Sequence, residues 1–401
     1  MDLLEPVIQP YAWGSRTAIA ELQGRPAPTA QPEAELWMGA HPSAPSKVER
    51  SAALASLDQV IAANPNAELG TEVATRFGGR LPFLLKVLAA QAALSIQVHP
   101  SREQAEAGFR EENARGLKPG DKGRTYQDDW PKPEILCALT RFEYLAGMRT
   151  TADAATLLGA LEVPELEPLI ANLAAAADPG VLTTTLTTIL SWPDSGSGAE
   201  RAELVSNVVA GCERIAAGDG PYAAACAATV RIGSEHPGDL GVIASLLLNY
   251  GCLEPGQAIF LPAGGLHAYL RGTGVELLAN SDNVARAGLT PKHIDVAELL
   301  KLTDPEVAVP VIEPRQLGDG IEVYDSPAPE FRLYRADLGV GEVPLPGSGP
   351  RVVLCAEGTA VLRSREGALK VAKGESCFLS AADGVITASG PAAAFIATTG
   401  I

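Results

Sequence analysis

Apolar and polar residues alternate along two short segments of the chain, and each segment carries a histidine. In the first segment the order is Leu94, Ser95, Ile96, Gln97, Val98 and His99. The second segment alternates in the same way, with His267 and Tyr269 on one side. A β-strand repeats every two residues, so its polar side chains share one face and its apolar side chains the other. We therefore expect two strands that each turn a polar face to a site and an apolar face to a core.

The composition and the spacing of apolar residues in the rest of the sequence divide the chain into regions. Up to about residue 149, short apolar runs are broken by Pro and Gly, which is typical of strands joined by structured loops. Between 150 and 232, alanine and leucine recur at helical spacing. From 304 onward, short apolar runs separated by Gly, Pro and Asp indicate an antiparallel sandwich or jelly roll. The pattern predicts a mainly β protein with a helical insert.

Composition and charge narrow the class of protein. A chain of 401 residues with 46% hydrophobic and 20% charged residues is expected to fold into two or three domains. Its net charge of −17 argues against binding to nucleic acid or to an anionic membrane surface. The N-terminus lacks the basic flank and apolar run of a signal peptide, which predicts a cytoplasmic protein. The six cysteines are scattered and suggest neither a disulfide framework nor a thiolate zinc site.

A metal centre is one interpretation of the two histidine segments. Zinc in catalytic sites is bound by imidazole nitrogen and carboxylate oxygen, with one position left open. Gln97, His99, Glu134 and His267 would supply two imidazoles, one carboxylate and one amide oxygen. A strand histidine can equally be a hydrogen-bonded structural residue, and Glu134 a solvated loop acid. Spacing alone does not decide between these interpretations.

Longer motifs resemble the type I mannose-6-phosphate isomerases, which are zinc-dependent cupins. The resemblance extends over nearly the whole chain, and its matching blocks are Tyr11–Gly14, Ala34–Pro45, Leu81–Leu88, Leu94–Pro100, Lys132–Glu134 and Gly264–Asp295. The resemblance implies one zinc ion per chain on Gln97, His99, Glu134 and His267, and an active-site arginine at Arg286. It also implies a catalytic cupin (residues 1–149 and 233–303), interrupted by a helical domain (150–232) and followed by a second cupin-like jelly roll (304–401). Many relatives have histidine where this chain has Pro131, so we expect the proton carrier to lie elsewhere.

The chemistry implied by the resemblance is the interconversion of an aldose and a ketose phosphate, most simply through a cis-enediol. Zinc would polarise a sugar oxygen, and Arg286 would be a permanent cation beside the developing charge. The proton carrier stays open among Lys86, Lys132, Lys292, Glu276 and a zinc-bound water, and a lysine qualifies only if its surroundings lower its pKa. Residues expected to contact substrate are Lys86, Ser95, Tyr269 and Asp282. Ser95 and Tyr269 could instead be ordinary polar lining. Asp282 could orient Arg286 or cap the following turn, and the cap is favoured because Ser-Asp-Asn is also a common helix-entry signal.

Two other functions remain possible at this stage. A cupin metal site could serve an oxygenase, although such enzymes normally use iron with two histidines and one carboxylate. The chain could also be a sugar-phosphate sensor without turnover, which Pro131 alone favours. We expect a small sugar phosphate as ligand, no nucleic-acid or membrane partner, and a monomer.

Overall fold

The computed structural model describes residues 1–50, 52–121, 123–194, 196, 198–292 and 294–401. The strands of the first three quarters of the chain are β1 (Asp2–Leu3), β2 (Val7–Gln9), β3 (Glu35–Gly39), β4 (Lys47–Arg50), β5 (Ala53–Ser56), β6 (Phe83–Ala90), β7 (Gln97–Val98), β8 (Glu134–Ala138), β9 (Phe142–Met148), β10 (Leu248–Leu253), β11 (Ala258–Leu261), β12 (His267–Ala279), β13 (Ala285–Arg286) and β14 (Val311–Ile312). The strands that follow are β15 (Arg315–Gly318), β16 (Ile321–Tyr324), β17 (Arg332–Asp337), β18 (Val343–Pro344), β19 (Arg351–Arg363), β20 (Ala368–Ala372), β21 (Ser376–Leu379), β22 (Thr387–Ser389) and β23 (Ala392–Thr398).

The α-helices are α1 (Ala18–Leu22), α2 (Leu57–Ala63), α3 (Pro65–Leu69), α4 (Thr71–Arg76), α5 (Arg102–Ala114), α6 (Thr151–Ala160), α7 (Glu167–Ala175), α8 (Gly180–Leu190), α9 (Ala199–Ala216), α10 (Ala223–Glu235), α11 (Gly241–Ala244) and α12 (Val296–Leu302). Helices α6 to α11 follow one another without an intervening strand, and we call them the helical unit. Helix α5 begins with a capping box, in which Ser101 and Gln104 satisfy each other's backbone N–H groups. No helix in the described ranges is long and apolar enough to cross a bilayer.

The strands form two large antiparallel sheets and one hairpin. The first sheet contains β2, β3 and β6 to β14, and the second contains β1 and β15 to β23. The hairpin joins β4 to β5. The first residues of the chain thus pair with the second sheet, through Asp2 and Leu3 opposite Phe378 and Cys377.

Strand β12 holds the first sheet together and folds it into two layers. Its first residues, His267 to Arg271, pair with β7 and β9, whereas Gly272 to Ala279 pair with β6 and β8. The turn between the two parts uses Gly272, whose φ is +134° and where a Cβ atom would lie 2.7 Å from the carbonyl oxygen of Arg141. Because the strand changes partners at this point, one strand joins the β7 and β9 part of the sheet to the β6 and β8 part.

Each layer buries its apolar face against a different neighbour. One cluster combines Ile96, Val98 and Ala268 with leucines of the helical unit such as Leu157. A second cluster joins Leu36 and Ile135 of the first sheet to residues of the second sheet, among them Tyr324, Leu333 and Phe378. The apolar faces predicted for the two histidine segments are therefore core faces.

The structure agrees with the predicted combination of sheets with a helical stretch, but it differs in detail. Strand β7 covers only Gln97 and Val98, so the strand is shorter than the alternating segment from Leu94 to His99. The helices also continue to Ala244, past the predicted boundary near residue 232, because α10 runs to Glu235 and the short helix α11 begins at Gly241. The domain boundaries themselves stay a prediction.

Candidate metal centre and active site

Three side chains from separate parts of the first sheet meet at one point. His99 follows β7, Glu134 begins β8 and His267 begins β12, and all three are buried. One potential ligand atom of each lies within 4.8 Å of the other two. Glu134 bridges the imidazoles, with its Oε1 3.4 Å from His99 Nε2 and its Oε2 3.5 Å from His267 Nε2. Strand β12 connects two of these residues, because His267 is its first residue and Glu134, in β8, pairs with Leu278 near its last residue.

The hydrogen bonds of the two imidazoles leave their Nε2 atoms free to bind a metal. His99 Nδ1 lies 2.7 Å from the carbonyl oxygen of Asn283, and His267 Nδ1 lies 3.0 Å from that of Gly265. A carbonyl can only accept, so each ring carries a proton on Nδ1 and a lone pair on Nε2 in its neutral form. Among the described residues, neither Nε2 nor the Oε2 of Glu134 has a hydrogen-bond partner. Such orphaned buried acceptors, all aimed at one point, fit a cation.

Charge and burial set the protonation states that metal binding requires. Burial lowers the pKa of His99 well below its usual value, and the nearby charge of Lys132 acts in the same direction. Burial tends to raise the pKa of Glu134, but Lys132 and the two imidazoles outweigh it and hold that pKa well below its usual range. The Nζ of Lys132 lies 3.2 Å from Glu134 Oε1. At neutral pH the centre therefore offers a neutral His99 and an ionised Glu134.

Gln97 lies next to this centre. It pairs with His267 across β7 and β12, and with Arg286 across β7 and β13. Directly opposed residues of an antiparallel pair point to the same face of the sheet. The amide of Gln97 is therefore on the histidine side, as the alternating pattern predicts.

The metal centre opens into a cavity of about 590 Å³. Ten of the twelve candidate residues from the sequence line it, namely Lys86, Ser95, Gln97, Lys132, Glu134, Tyr269, Glu276, Asp282, Arg286 and Lys292. His99 and His267, the other two, lie behind them at the buried metal centre. The folded chain thus collects the whole predicted set in one place.

A buried lysine and two carboxylates form one side of the cavity. Lys86 Nζ lies 3.5 Å from both Glu35 Oε2 and Glu276 Oε2, and 5.0 Å from the centre of the Trp37 ring. Burial alone would lower the pKa of Lys86, but the two carboxylates outweigh it and raise that pKa. Lys86 therefore stays charged, and it does not meet the condition of a lowered pKa set for a lysine base. Burial, followed by repulsion from Glu134, raises the pKa of Glu276 to about 7.

Two further cations line the cavity, and we call them the cation wall. It consists of Arg286, in β13, and Lys292, in the loop that follows. The charge of Arg286 lowers the pKa of Lys292, which places Lys292 among the lysines that could release a proton. In the described parts of the chain, no carboxylate lies within ion-pair distance of either residue. A pair of unneutralised cations favours an anionic ligand.

The remaining candidates occupy the rim and floor of the cavity. Tyr269 is buried beside Glu276, and burial raises its pKa well above the usual value, so its hydroxyl remains a donor. Ser95 is half-buried in the segment before β7. Asp282 does not cap a helix: its Oδ1 lies 3.4 Å from His41 Nε2, and its backbone N–H donates to Asp128. The cap favoured for Asp282 is wrong because no helix starts until Val296.

Comparison with known proteins agrees with this geometry. Residues 1–151 match the model of the catalytic domain of type I phosphomannose isomerase. The chain is 39% identical to the mannose-6-phosphate isomerase of Salmonella typhimurium, and the match covers 97% of this chain and 97% of that protein. It is 35% identical to the mannose-6-phosphate isomerase of Bos taurus, over 84% of this chain and 81% of that protein. The chain belongs to the mannose-6-phosphate isomerase family. A zinc-bound crystal structure of mannose 6-phosphate isomerase is similar over 100% of this chain and 99% of its own, at 36% identity and a TM-score of 0.89.

Family membership confirms the resemblance found in the sequence, but sequence reasoning assigns Glu35, Glu235 and His236 no role in the site and predicts Trp37 only as core or pocket wall. Glu35 and Trp37 of β3 contact Lys86, and their signal was an acidic residue within an otherwise apolar, fully buried strand. Glu235 and His236 reach the cavity from the end of α10. Nothing in their local sequence connects them with the site, because their position depends on how the helical unit packs against the sheet.

Proposed function

We propose that this mannose-6-phosphate isomerase family member is a zinc-dependent enzyme that interconverts mannose 6-phosphate and fructose 6-phosphate. The observation that carries the proposal is the buried group of His99, Glu134 and His267, with three orphaned acceptor atoms, at the base of a cavity with an unneutralised cation wall. A metal supplies the electrophile, and the cations suit a phosphorylated sugar. A relative with bound zinc supports this choice of metal.

Four residues would hold the zinc. His99 and His267 offer imidazole nitrogen, Glu134 a carboxylate oxygen, and Gln97 an amide oxygen on the same face. Bound zinc would act as a Lewis acid that polarises a sugar oxygen. The carbonyl groups of Asn283 and Gly265 fix the ring orientation of the two histidines, so that the ligands are arranged in advance of binding.

The cation wall would bind the negative charge of the substrate. The chain as a whole carries a charge of −17, so an anionic sugar phosphate needs a locally basic surface to enter. Arg286 can contact an oxyanion or phosphate through two N–H groups at once, whereas Lys292 acts as a point charge. Both side chains reach the cavity that also contains Gln97 and Glu134.

Isomerisation through a cis-enediol moves one proton between C1 and C2 of the sugar and a second proton between the two oxygens. Glu276 is the candidate carrier that the site favours, because its pKa of about 7 lets it accept and return a proton near neutral pH. Lys86 stays charged and would orient Glu276 from 3.5 Å. Lys132 and Lys292 remain alternatives as carriers, together with a water bound to zinc.

The arrangement of domains is part of this proposal. The catalytic cupin (1–149 and 233–303) would contain the first sheet apart from β14, the insert (150–232) most of the helical unit, and the cupin-like jelly roll (304–401) the second sheet apart from β1. The distribution of strands supports this division, since all but β1 of the second sheet come from residues 315–398. A cytoplasmic monomer without a nucleic-acid or membrane partner stays a prediction from the sequence.

A coupled assay tests the proposal directly. Purified protein is given mannose 6-phosphate, and fructose 6-phosphate is measured before and after treatment with a chelator and after return of zinc. We expect activity that chelation removes and zinc restores. Ligand binding without turnover would indicate a sensor, and iron with oxygen uptake would indicate an oxygenase; either result would overturn the proposal.

A further inference from the structure

A short segment between two helices contacts two loops next to strands β7 and β13, whose residues line the cavity. This segment, residues 235–241, connects the end of α10 to the start of α11, and we call it the connector. At one end, Glu235 Oε2 accepts a hydrogen bond of 2.9 Å from the N–H of Ala93, which lies just before Ser95 and Gln97. At its other end the connector contacts the loop that follows Arg286.

Asp239 makes this second contact. Its Oδ1 accepts a hydrogen bond of 2.7 Å from the N–H of Gly241, within the connector. Its Oδ2 accepts one of 3.2 Å from the N–H of Thr290, in the loop between Arg286 and Lys292. One carboxylate therefore joins the helical unit to the segment that carries the cation wall.

Two glycines bring the same segments into direct backbone contact. A Cβ atom on Gly241 would lie 2.6 Å from the backbone nitrogen of Leu289, and one on Gly288 would lie 2.5 Å from the Cα of Gly241. Real side chains do not approach backbone atoms this closely, so both positions require glycine at this spacing. Leu289, next to Gly288, has a φ of +56°, a conformation that leucine adopts only where its surroundings impose it.

We propose that Asp239 is a positioning residue that sets the place of Lys292 in the cavity. The inference rests on the proposed function, because it assigns the cation wall to substrate binding. Asp239 does not line the cavity itself and touches no candidate metal ligand in the described parts of the chain. It acts by holding Thr290, four residues after Arg286 and two before Lys292.

The β pairing at the other side of the loop shows why Asp239 matters. Arg286 and Ala287 are held to β7 and Ile96 by backbone hydrogen bonds, so the start of the loop is fixed by the sheet. The turn at Leu289 and Thr290 lies beyond that pairing and is fixed by Asp239 and by the contact between Gly241 and Gly288. Loss of the Asp239 contact would release the end of the loop that carries Lys292 while the zinc ligands stay in place.

Asp239→Asn tests the proposal, with Asp178→Asn as its matched control. Gly241 and Thr290 donate to different oxygens of Asp239, and Asn replaces one of these oxygens by an NH2 group that cannot accept, so the observed geometry loses one of the two hydrogen bonds. Asp178 also accepts from the N–H of a glycine two residues later, Gly180, at 2.9 Å, but it makes that bond in the helical unit away from the cavity. We expect Asp239→Asn to raise the KM for mannose 6-phosphate about tenfold, which is typical for one lost hydrogen bond to a charged group. Zinc content should equal that of the control, and kcat should change less than KM.

Hydrogen exchange separates this inference from the proposed function. The peptide containing Thr290 should exchange faster in Asp239→Asn than in Asp178→Asn, whether or not the protein is an active isomerase. Gly241→Ala, which disturbs the same contact without removing a charge, should raise the KM in the same direction. An unchanged KM and unchanged exchange in Asp239→Asn would overturn the proposal, and so would a lower melting temperature as its sole effect. Inactive wild-type protein with faster exchange in Asp239→Asn would overturn only the proposed function.

Discussion

Each histidine of the metal centre donates its Nδ1 proton to a backbone carbonyl, so its Nε2 atom keeps a lone pair that can bind a metal. The acceptors of His99 and His267, Asn283 and Gly265, come from two different loops. A histidine that served only as a structural residue would be expected to use both ring nitrogens in hydrogen bonds. The unpaired Nε2 atoms of both rings therefore favour a metal over the structural alternative.

Removal of either imidazole should remove the metal. We expect His99→Ala and His267→Ala each to lose bound zinc and isomerase activity together, because an incomplete ligand set binds zinc far more weakly. Zinc per chain is measured by metal analysis after dialysis. His236→Ala is the control, since His236 lines the cavity but does not belong to the metal group, and it should keep its zinc. Full zinc in either ligand variant would show that the proposed ligand set is wrong.

Glu276 should govern how activity depends on pH. Its pKa is raised to about 7 from an ordinary 4.5, first by burial and then by repulsion from Glu134. Zinc on Glu134 would offset that repulsion, so we expect the pKa of Glu276 in the zinc enzyme to lie between these two values. A base must be deprotonated, so kcat/KM should fall as the pH decreases through this pKa.

Glu276→Gln tests that assignment. We expect kcat to decrease by about 10² to 10⁴, the usual contribution of a general base, and the acidic limb of the pH profile to disappear. Zinc content serves as the control, because the variant leaves all four metal residues in place. A variant that keeps the acidic limb would move the role of carrier to Lys292, Lys132 or a zinc-bound water.

Arg286→Lys tests whether the cation wall requires the guanidinium group of Arg286 or only its positive charge. A lysine keeps the positive charge but cannot form two parallel hydrogen bonds to one oxyanion. We expect unchanged zinc and a decrease in kcat/KM of about tenfold or more, measured with mannose 6-phosphate. Lys292→Arg, which keeps the charge at the other cation, is the companion variant and should have the smaller effect. Near-normal kinetics of Arg286→Lys would limit Arg286 to a structural role.

The sequence predicts on which face of a strand a residue lies, but it does not predict partners that are distant in the chain or the pKa that they produce. Alternation in Ser95–His99 is enough to place Gln97 and His99 on one face, because the side-chain period of a strand is local. The partners of Asp282 and Lys86, in contrast, are His41 and Glu35, which are distant in the chain. The pKa of Lys86 could not be predicted either, since burial and two carboxylates act on it in opposite directions.

At the scale of elements, the alternating segment around His267 predicts a strand but not the fold of that strand. Strand β12 runs for 13 residues and changes partners at Gly272, and this change brings Glu134 opposite His267. A bend of this kind depends on two layers closing over a core, and a period-2 pattern looks the same in a straight strand and in a bent one. The sequence therefore pointed to the candidate ligands, but it did not explain how they meet.

Helix packing in the helical unit gives a test at the same scale. Gly211 lies inside α9, and a Cβ atom there would be 2.7 Å from the carbonyl oxygen of Leu161. Gly211→Ala should lower stability by about 1–3 kcal/mol through overpacking. Gly159→Ala in α6 is the matched control, because its nearest atom would be 3.9 Å away, and it should gain up to about 1 kcal/mol in helix propensity. Urea unfolding measures both, and equal effects of the two variants would contradict this packing.

At the scale of the whole molecule, the two large sheets share one core. Leu36, Val87 and Ile135 of the first sheet pack in the same cluster as Tyr324 and Phe378 of the second. The thiol of Cys137 also lies 3.1 Å from the hydroxyl oxygen of Tyr324, and that hydroxyl donates to the carbonyl of Gly256. Separation of the sheets would expose apolar surface on both, so neither is expected to unfold while the other stays folded.

Two buried thiols can report on the sheets separately. Cys137 lies in β8 of the first sheet and Cys377 in β21 of the second, and both are 0% exposed. Burial raises the pKa of Cys137 to about 12 and that of Cys377 above its usual value, so neither thiol should react with an alkylating reagent until it is exposed. We expect their labelling midpoints in urea, resolved by peptide mass spectrometry, to coincide.

Chelation of zinc should shift both midpoints downward by the same amount, because a ligand that binds only the native state stabilises the whole cooperative unit. Labelling of Cys377 at a lower urea concentration than Cys137 would show that the second sheet unfolds on its own and that the shared core does not couple the two.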